Sequence, residues 1–145
     1  MAVHFVVVDK ENWEECIEFS VSDEQTDFVA SNCESILLSK FEENCYPLCI
    51  YNDAEMVGFL MYDIDPETKR WELSRLMIDE EHQGNGFGKQ ALLLLLRQLK
   101  EKLGSIHFYT SVVPSNNVMK RLVKSLGLLE TDEITWDEEV FRIAL

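Results

Sequence analysis

Residues 77–89 carry the sequence MIDEEHQGNGFGK, and this segment decides the fold. Its first residues end an apolar stretch, an acidic turn follows, and a glycine-rich loop leads into an amphipathic helix. Glycine allows backbone conformations in which several N–H groups point in one direction. At a helix N-terminus the macrodipole adds a positive potential, so such a loop can bind phosphate through its amides. The sequence therefore predicts a strand, a phosphate-binding loop and a helix, with Lys89 adding a charge-assisted contact.

The spacing of these glycines excludes two common phosphate-binding motifs. The loop lacks the Gly-Lys-Ser/Thr of a Walker motif. Gly88 stands at the wrong spacing for a dinucleotide-binding fingerprint, and no acidic residue follows on a second strand at the expected distance. The alternative that stays open is a plain turn between a strand and a helix, whose glycines bind nothing.

Outward from the loop, the hydrophobic periodicity predicts a mixed α/β chain with the order β-α-α-β-β-β-α-β-α-β-β. The predicted strands are residues 4–8, 47–51, 56–64, 71–78, 107–113, 128–134 and 140–144. The predicted helices are residues 12–19, 24–41, 86–103 and 115–127. The large apolar residues Trp13, Trp71, Trp136 and the run 92–96 are assigned to the core.

Length and charge limit the class of protein. The 145 residues predict one domain over 1–145. The 13 basic and 27 acidic residues give a formal net charge of −14, which disfavours nucleic acid and anionic membrane surfaces as partners because both attract clustered Lys and Arg. The longest apolar run, 91–96, is too short to span a membrane. No export signal precedes Asp9, so we expect a cytoplasmic protein.

The four cysteines are expected to be reduced and to pack as small apolar residues. Cys45 and Cys49 do not form half of a zinc site, because no second Cys or His pair follows at ligand spacing. The three histidines are scattered along the chain. We therefore expect no metal.

Several motifs together resemble a known family. Gln83-x-x-Gly86-x-Gly88, entered from a strand and followed by a long helix, is similar to the acyl-CoA signature of the GNAT superfamily of N-acetyltransferases. Ser115-Asn116, a short helix and then Gly127 resemble the second conserved segment of that superfamily. Three further stretches, at residues 25–32, 55–59 and 75–79, resemble the bacterial spermine/spermidine (polyamine) acetyltransferases.

The resemblance implies a single-domain GNAT-like fold of the α/β (α+β) class. Its central sheet is mixed but mostly antiparallel, with about six to seven strands and about four flanking helices. It also implies acetyl-CoA as co-substrate, with the pyrophosphate on the loop amides and the pantetheine arm beside a central strand that splays from the strand at 107–113. The implied cofactor-binding residues are Leu76, Met77, Ile78, Gln83, Gly84, Asn85, Gly86, Phe87, Gly88, Lys89 and Asn116.

Three catalytic residues are expected on the central strand: Glu72, Ser74 and Leu76. Transfer to an amine requires the neutral amine, so a base is needed, and Glu72 stands where related enzymes often carry a basic glutamate. A carboxylate on a mostly covered strand should have a raised pKa. Strand alternation places Ser74 and Leu76 on the face of Glu72. The Leu76 N–H would polarise the thioester carbonyl.

Alternative roles stay open for two charged positions of this strand. Glu72 could instead pair with Arg75 or Lys69 at the strand end. Arg75 itself needs a partner, because a charge on a covered strand is otherwise unfavourable.

One departure from the family concerns the proton donor for the leaving thiolate. Many members carry a Tyr where this chain has Val123, which has no proton to give. Tyr109, Tyr62, Ser111 or water could serve instead. The departure also keeps open a non-catalytic CoA-binding module.

The acceptor is expected to be a cationic small-molecule amine, most simply a polyamine. Asp23, Glu24 and Asp27 precede or open the second predicted helix, which borders the acceptor side of the cleft in the GNAT fold. Several carboxylates together attract a polycation. The alternative acceptors are another small amine or a protein N-terminus, and the resemblance also allows a homodimer.

Overall fold

The chain folds around one mixed sheet of seven strands. The structure is a computed structural model that describes residues 2–21, 25 and 30–145. The strands are β1 (Val3–Val7), β2 (Cys45–Asn52), β3 (Glu55–Ile64), β4 (Trp71–Ile78), β5 (His107–Val112), β6 (Leu129–Thr135) and β7 (Glu138–Ala144). Their spatial order is β1-β2-β3-β4-β5-β7-β6, and every neighbouring pair is antiparallel except β4 and β5. The predicted mixed, mostly antiparallel fold is confirmed.

The described helices are α1 (Trp13–Glu18), α2 (Asn32–Phe41), α3 (Phe87–Leu103) and α4 (Asn117–Ser125), with a short 3-10 turn at Glu80–His82. Of the helix predicted at residues 24–41, the described residues Ala30 and Ser31 are not helical. The helix begins at Asn32, because the Ser31 hydroxyl accepts a hydrogen bond from the Glu34 N–H at 3.1 Å and caps it there.

Two apolar clusters lie on opposite faces of the sheet. Helices α3 and α4 cover one face around Leu60, Leu95 and Phe108. Helices α1 and α2 cover part of the other face around Phe59, Met61 and Met77. β4 lies between these layers, as the apolar pattern on both its faces predicts.

Two of the three tryptophans assigned to the core are exposed, so that assignment is wrong for them. Trp136 is 84% exposed at the β6–β7 turn, and Trp13 is also exposed. Trp71 packs partly buried against the α3 cluster. Tryptophan is a common core residue, but a strand end or a turn can present it to solvent, and composition alone does not separate these cases.

The cysteines divide between interior and surface. Cys16 and Cys49 are buried, Cys45 is half-buried and Cys33 is exposed, and all four are free thiols. Within residues 2–21, 25 and 30–145, no cluster of three His, Cys, Asp or Glu side chains could hold a metal ion. In the same part of the chain, no helix has the length and apolar character needed to cross a membrane.

Candidate active site

The glycine-rich loop at residues 83–89 presents its backbone to an open surface. Gly84 has φ +82° and Gly86 has φ +79°, backbone conformations that residues other than glycine rarely adopt. Gly86 is the N-cap of α3, no side chain of the described residues caps this helix start, and the first turn carries no acidic residue. The first amides of a long helix therefore have no intrahelical or side-chain acceptor among the described residues, as an anion-binding loop requires. This local geometry suits a phosphate group.

A cavity of about 320 Å³ opens beside this loop. Of the residues expected from sequence to bind the cofactor, all but Asn85 line it: Leu76, Met77, Ile78, Gln83, Gly84, Gly86, Phe87, Gly88, Lys89 and Asn116. The side chain of Phe87 is buried in the α3 cluster, so its contribution to the loop is its backbone. Helix α4 supplies the opposite wall through Val118, Met119 and Leu122.

The side chains of Gln83 and Asn85 hold the loop in shape. Gln83 Nε2 donates to the Ile78 carbonyl and to Gln25 Oε1, both at 2.9 Å. Asn85 Nδ2 donates to the His82 carbonyl at 3.1 Å and to the Gln83 carbonyl at 3.4 Å. Asn85 therefore braces the turn instead of lining the cavity.

The cavity exists because β4 and β5 separate. They pair over only three positions, from Trp71 opposite Phe108 to Leu73 opposite Thr110. At the next residue β4 bulges: Tyr62 on β3 lies opposite Leu73 and Met61 lies opposite Arg75, so Ser74 has no partner. A bulge bends its strand and increases the local twist. The free edge of β4 beyond Leu73 is the splayed edge that the family resemblance implies.

The bulge also changes which side chains share a face. Glu72 lies opposite Asp63 on the α2 side, whereas Leu76 packs against the α3 cluster on the other side. The expectation that alternation places Glu72, Ser74 and Leu76 on one face is therefore wrong for Leu76, because the extra residue shifts the period by one. Ser74 turns its hydroxyl back to donate to the Met61 carbonyl at 3.1 Å.

A second, larger cavity of about 490 Å³ lies on the α2 side of the splay. Glu72, Ser74 and Leu76 all line it, together with Tyr109 and Glu138. The two cavities share Leu76, Asn116 and Met119, so they meet at the free edge of β4.

Glu72 has the electrostatic environment of a base. Burial, together with the neighbouring Asp63 carboxylate, raises the pKa of Glu72 to about 8. Burial also raises the pKa of Asp63. The Asp63 Oδ1 atom is buried without a hydrogen-bond donor in the described residues, and a proton on Glu72 can supply one. The two carboxyl groups therefore favour a state in which Glu72 is protonated and Asp63 is ionised.

The alternative in which Glu72 forms an ion pair is not found among the described residues. Arg75 instead donates to Ser35 Oγ at 3.1 Å and to the Ser74 carbonyl at 2.7 Å. The positive charge of Arg75 is thus satisfied mainly by neutral acceptors, and no carboxylate of the described chain forms a salt bridge with it.

The residues that were expected near the leaving thiolate fall into two groups: some line the larger cavity, and the others are buried. Asn116 accepts a hydrogen bond from the Met119 N–H at 3.2 Å, which confirms the expected cap of α4. Val123 is fully buried. Of the three expected substitute donors, Tyr109 and Ser111 line the larger cavity, whereas Tyr62 is buried in the α3 cluster and lines neither cavity.

The expected acceptor residues Asp23, Glu24 and Asp27 lie outside the described residues. Their described neighbours line the cavities: Val21 and Gln25 the smaller one, and Ala30 the larger one. Sequence reasoning missed Asp63, Arg70, Trp136 and Glu138. For Asp63 a signal was available, because the short connection between the predicted strands 56–64 and 71–78 places residue 63 close to residue 72 when the two strands pair.

Comparison with known proteins agrees with this geometry. Residues 7–128 match the family described as Acetyltransferase (GNAT) family. A spermine/spermidine N(1)-acetyltransferase of Bacillus subtilis (strain 168) is 29% identical over 147 aligned positions, which cover 96% of this chain and 95% of that protein.

Two solved structures share the fold over nearly the whole chain. The PaiA N-acetyltransferase of Thermoplasma acidophilum, in complex with coenzyme A, has a TM-score of 0.73 at 18% identity and covers 100% of both chains. A Salmonella typhimurium acetyltransferase that modifies the N-terminal serine of ribosomal protein L7/L12 has a TM-score of 0.72 at 17% identity, and covers 99% of this chain and 95% of its own. At these identities the likeness concerns the fold alone.

Proposed function

Because the chain belongs to the acetyltransferase (GNAT) family, we propose that it transfers the acetyl group of acetyl-CoA to a primary amine of spermine or spermidine. One observation carries the proposal: two cavities of different chemistry meet at the free edge of β4. The smaller one presents backbone amides to an anionic cofactor, and the larger one presents carboxylates to a cationic acceptor. The name of the Bacillus subtilis relative supports the choice of polyamine.

In this proposal the loop at residues 83–89 and helix α3 bind CoA. The outward amides of residues 84–89 and the macrodipole of α3 bind the pyrophosphate, which explains how a protein of net charge −14 holds an anion. The exposed Lys89 adds a charge-assisted contact. The unpaired edge of β4 from Leu76 to Ile78 pairs with the amide groups of the pantetheine arm.

Acetyl-CoA supplies an activated acyl carbon and a thiolate leaving group. The Leu76 N–H donates to the carbonyl oxygen as it gains negative charge, and this stabilisation is the main electrostatic contribution expected of the backbone. The amine nitrogen forms its bond to the acyl carbon while the carbon–sulfur bond breaks.

Glu72 accepts the proton that the attacking amine loses. A polyamine nitrogen is mostly protonated near neutral pH, so one proton passes to solvent before attack, and Glu72 takes the second as the carbon–nitrogen bond forms. A carboxylate with a pKa of about 8 is matched to this task, because it holds a proton weakly enough to release it to solvent between turnovers.

The leaving thiolate receives its proton from Tyr109, Ser111 or water in this mechanism, since Val123 has none to give. A CoA thiolate is only moderately basic, so the reaction does not depend strongly on this donor.

The deciding experiment is an acetylation assay with an amine panel, read by thiol release and by product mass. Spermine and spermidine should be acetylated with higher kcat/KM than monoamines or a peptide N-terminus. Preference for the peptide would replace the polyamine with a protein acceptor. Acetyl-CoA binding without turnover on any amine would favour the non-catalytic module.

A further inference from the structure

The β6–β7 turn places a tryptophan in an unusual backbone conformation. Trp136 and Asp137 connect β6 to β7 with φ angles of +56° and +60°. A two-residue hairpin turn with both φ angles positive is of type I′, which favours Asn-Gly or Asp-Gly. A bulky residue in this region is an outlier and costs free energy, because its Cβ approaches the backbone.

Packing does not compensate this strain. The Trp136 side chain is 84% exposed, so little apolar area is buried in return. A strained residue that contributes nothing to the core is a sign of function. Trp136 lines the rim of the larger cavity, beside Thr135 and Glu138 on the same hairpin.

The charges around this rim favour a cation. Asp65 and Glu138 line the cavity, opposed by Arg70 and Arg75, and Glu72 adds a further negative charge when it is ionised. The Glu133 carboxylate already engages Arg70, through contacts of 2.8 and 3.0 Å, and the Arg70 guanidinium lies 4.3 Å from the centre of the Tyr109 ring. Glu72 and Glu138 form no ion pair with any described residue.

We propose that Trp136 is a specificity-determining residue that binds the distal ammonium group of the polyamine over its indole ring. This inference rests on the proposed function. Tryptophan is the strongest of the aromatic side chains in binding a cation over its face, and its ring also packs on methylene groups. Glu138, two residues further along, supplies a carboxylate for the same ammonium. A diamine chain with its reacting nitrogen at Glu72 therefore extends toward the β6–β7 turn.

Two substitutions separate this role from a structural one. Trp136→Asn removes the ring and places at the turn a residue that tolerates positive φ, so the melting temperature should stay the same or rise. The KM for spermidine should increase roughly threefold to thirtyfold, the range expected for loss of a cation–aromatic contact. The kcat and the KM for acetyl-CoA should change less than about twofold, because the ring does not touch the reacting atoms. Trp136→Phe should retain most of the affinity.

A short monoamine and a matched surface variant complete the design. Propylamine has no distal ammonium, so its KM should be nearly the same in the wild type and in Trp136→Asn. Phe41→Asn removes an equally exposed aromatic ring, 81% exposed, that lines neither cavity, and it should leave all KM values unchanged.

The outcomes that overturn the inference differ from those that overturn the proposed function. If wild-type protein acetylates spermidine but Trp136→Asn has an unchanged KM, or raises the KM of propylamine equally, the inference fails alone. If wild-type protein acetylates no polyamine, the proposed function fails and the inference fails with it.

Discussion

The carboxyl pair formed by Asp63 and Glu72 makes a counterintuitive prediction: removal of one acidic group should raise the rate below neutral pH. Glu72 acts as a base only when it is ionised, that is, above its pKa. With the pKa at about 8, only roughly one Glu72 in ten is ionised at pH 7. The adjacent Asp63 charge and its hydrogen bond account for part of this elevation, after burial.

In Asp63→Asn the charge is removed while the shape is kept, so the pKa of Glu72 should fall toward neutrality but remain above its ordinary value because burial persists. The ionised fraction at pH 7 can then rise by at most about tenfold, which sets the ceiling for the gain in kcat/KM. Above about pH 8.5 the order should reverse, because a weaker base removes the proton more slowly. The two pH profiles should therefore cross.

The assay is thiol release with spermidine from pH 6 to 9.5, expressed as the ratio of kcat/KM in the variant to that in the wild type. The ionisation of the amine cancels in this ratio. Asp65→Asn is the matched control, because Asp65 lies further along the same hairpin and its effect on Glu72 is smaller. A ratio that stays constant across the pH range would refute the coupling between Asp63 and Glu72.

Three further outcomes are expected. Glu72→Gln should lower kcat by about 10²- to 10⁴-fold at neutral pH and flatten the acidic limb of the pH–rate profile, with the affinity for CoA unchanged. An unaltered acidic limb would show that another group is the base. Gly88→Val should fold, since an added Cβ meets its nearest protein neighbours only at 3.8 Å. It should weaken acetyl-CoA binding at least tenfold by calorimetry, because the added methyl groups block an anion-binding amide. Near wild-type affinity would show that the loop does not bind the cofactor. For spermine, kcat/KM should fall steeply between low and moderate salt, whereas that of a monoamine should not. The reason is that carboxylates attract the polycation, and salt screens this attraction over about 10 Å at 0.1 M. Equal salt slopes for both amines would contradict a polyamine acceptor.

The local signals of the sequence determined most of the fold. Periodicity and turn residues placed every strand within a few residues, and β4 at its observed bounds, because Asp65, Pro66 and the glycines mark the ends of elements unambiguously. The smaller cavity lies beside the loop at residues 83–89 that the sequence singled out, since an anion site of the kind proposed there is built from consecutive backbone groups. Residues 30 and 31 were wrongly assigned to the second helix because its cap, Ser31, is only one of several polar residues before the helix.

The larger cavity was much harder to predict, because it depends on non-local pairing. The bulge at Ser74 comes from the register between β3 and β4, and no local pattern of polar and apolar residues reveals a one-residue shift. Trp136 shows the same limit: its aromatic character suggested the core, whereas the β6–β7 register places it in a turn at a cavity rim.

The short parallel pairing of β4 with β5 divides the sheet into two parts that are joined by few backbone contacts. Four strands form one plate and three form another, and the seam between them is three residue pairs long, reinforced by the Thr110 hydroxyl, which donates to the Leu73 carbonyl at 3.1 Å. The Arg70–Glu133 fork braces the plates from the β3–β4 turn to β6. The larger cavity has walls on both plates, and it shares its inner wall with the smaller one. A rotation of one plate against the other about these three residue pairs therefore changes the width of both cavities at once. A ligand bound in one cavity restricts this rotation and so limits the width of the other cavity.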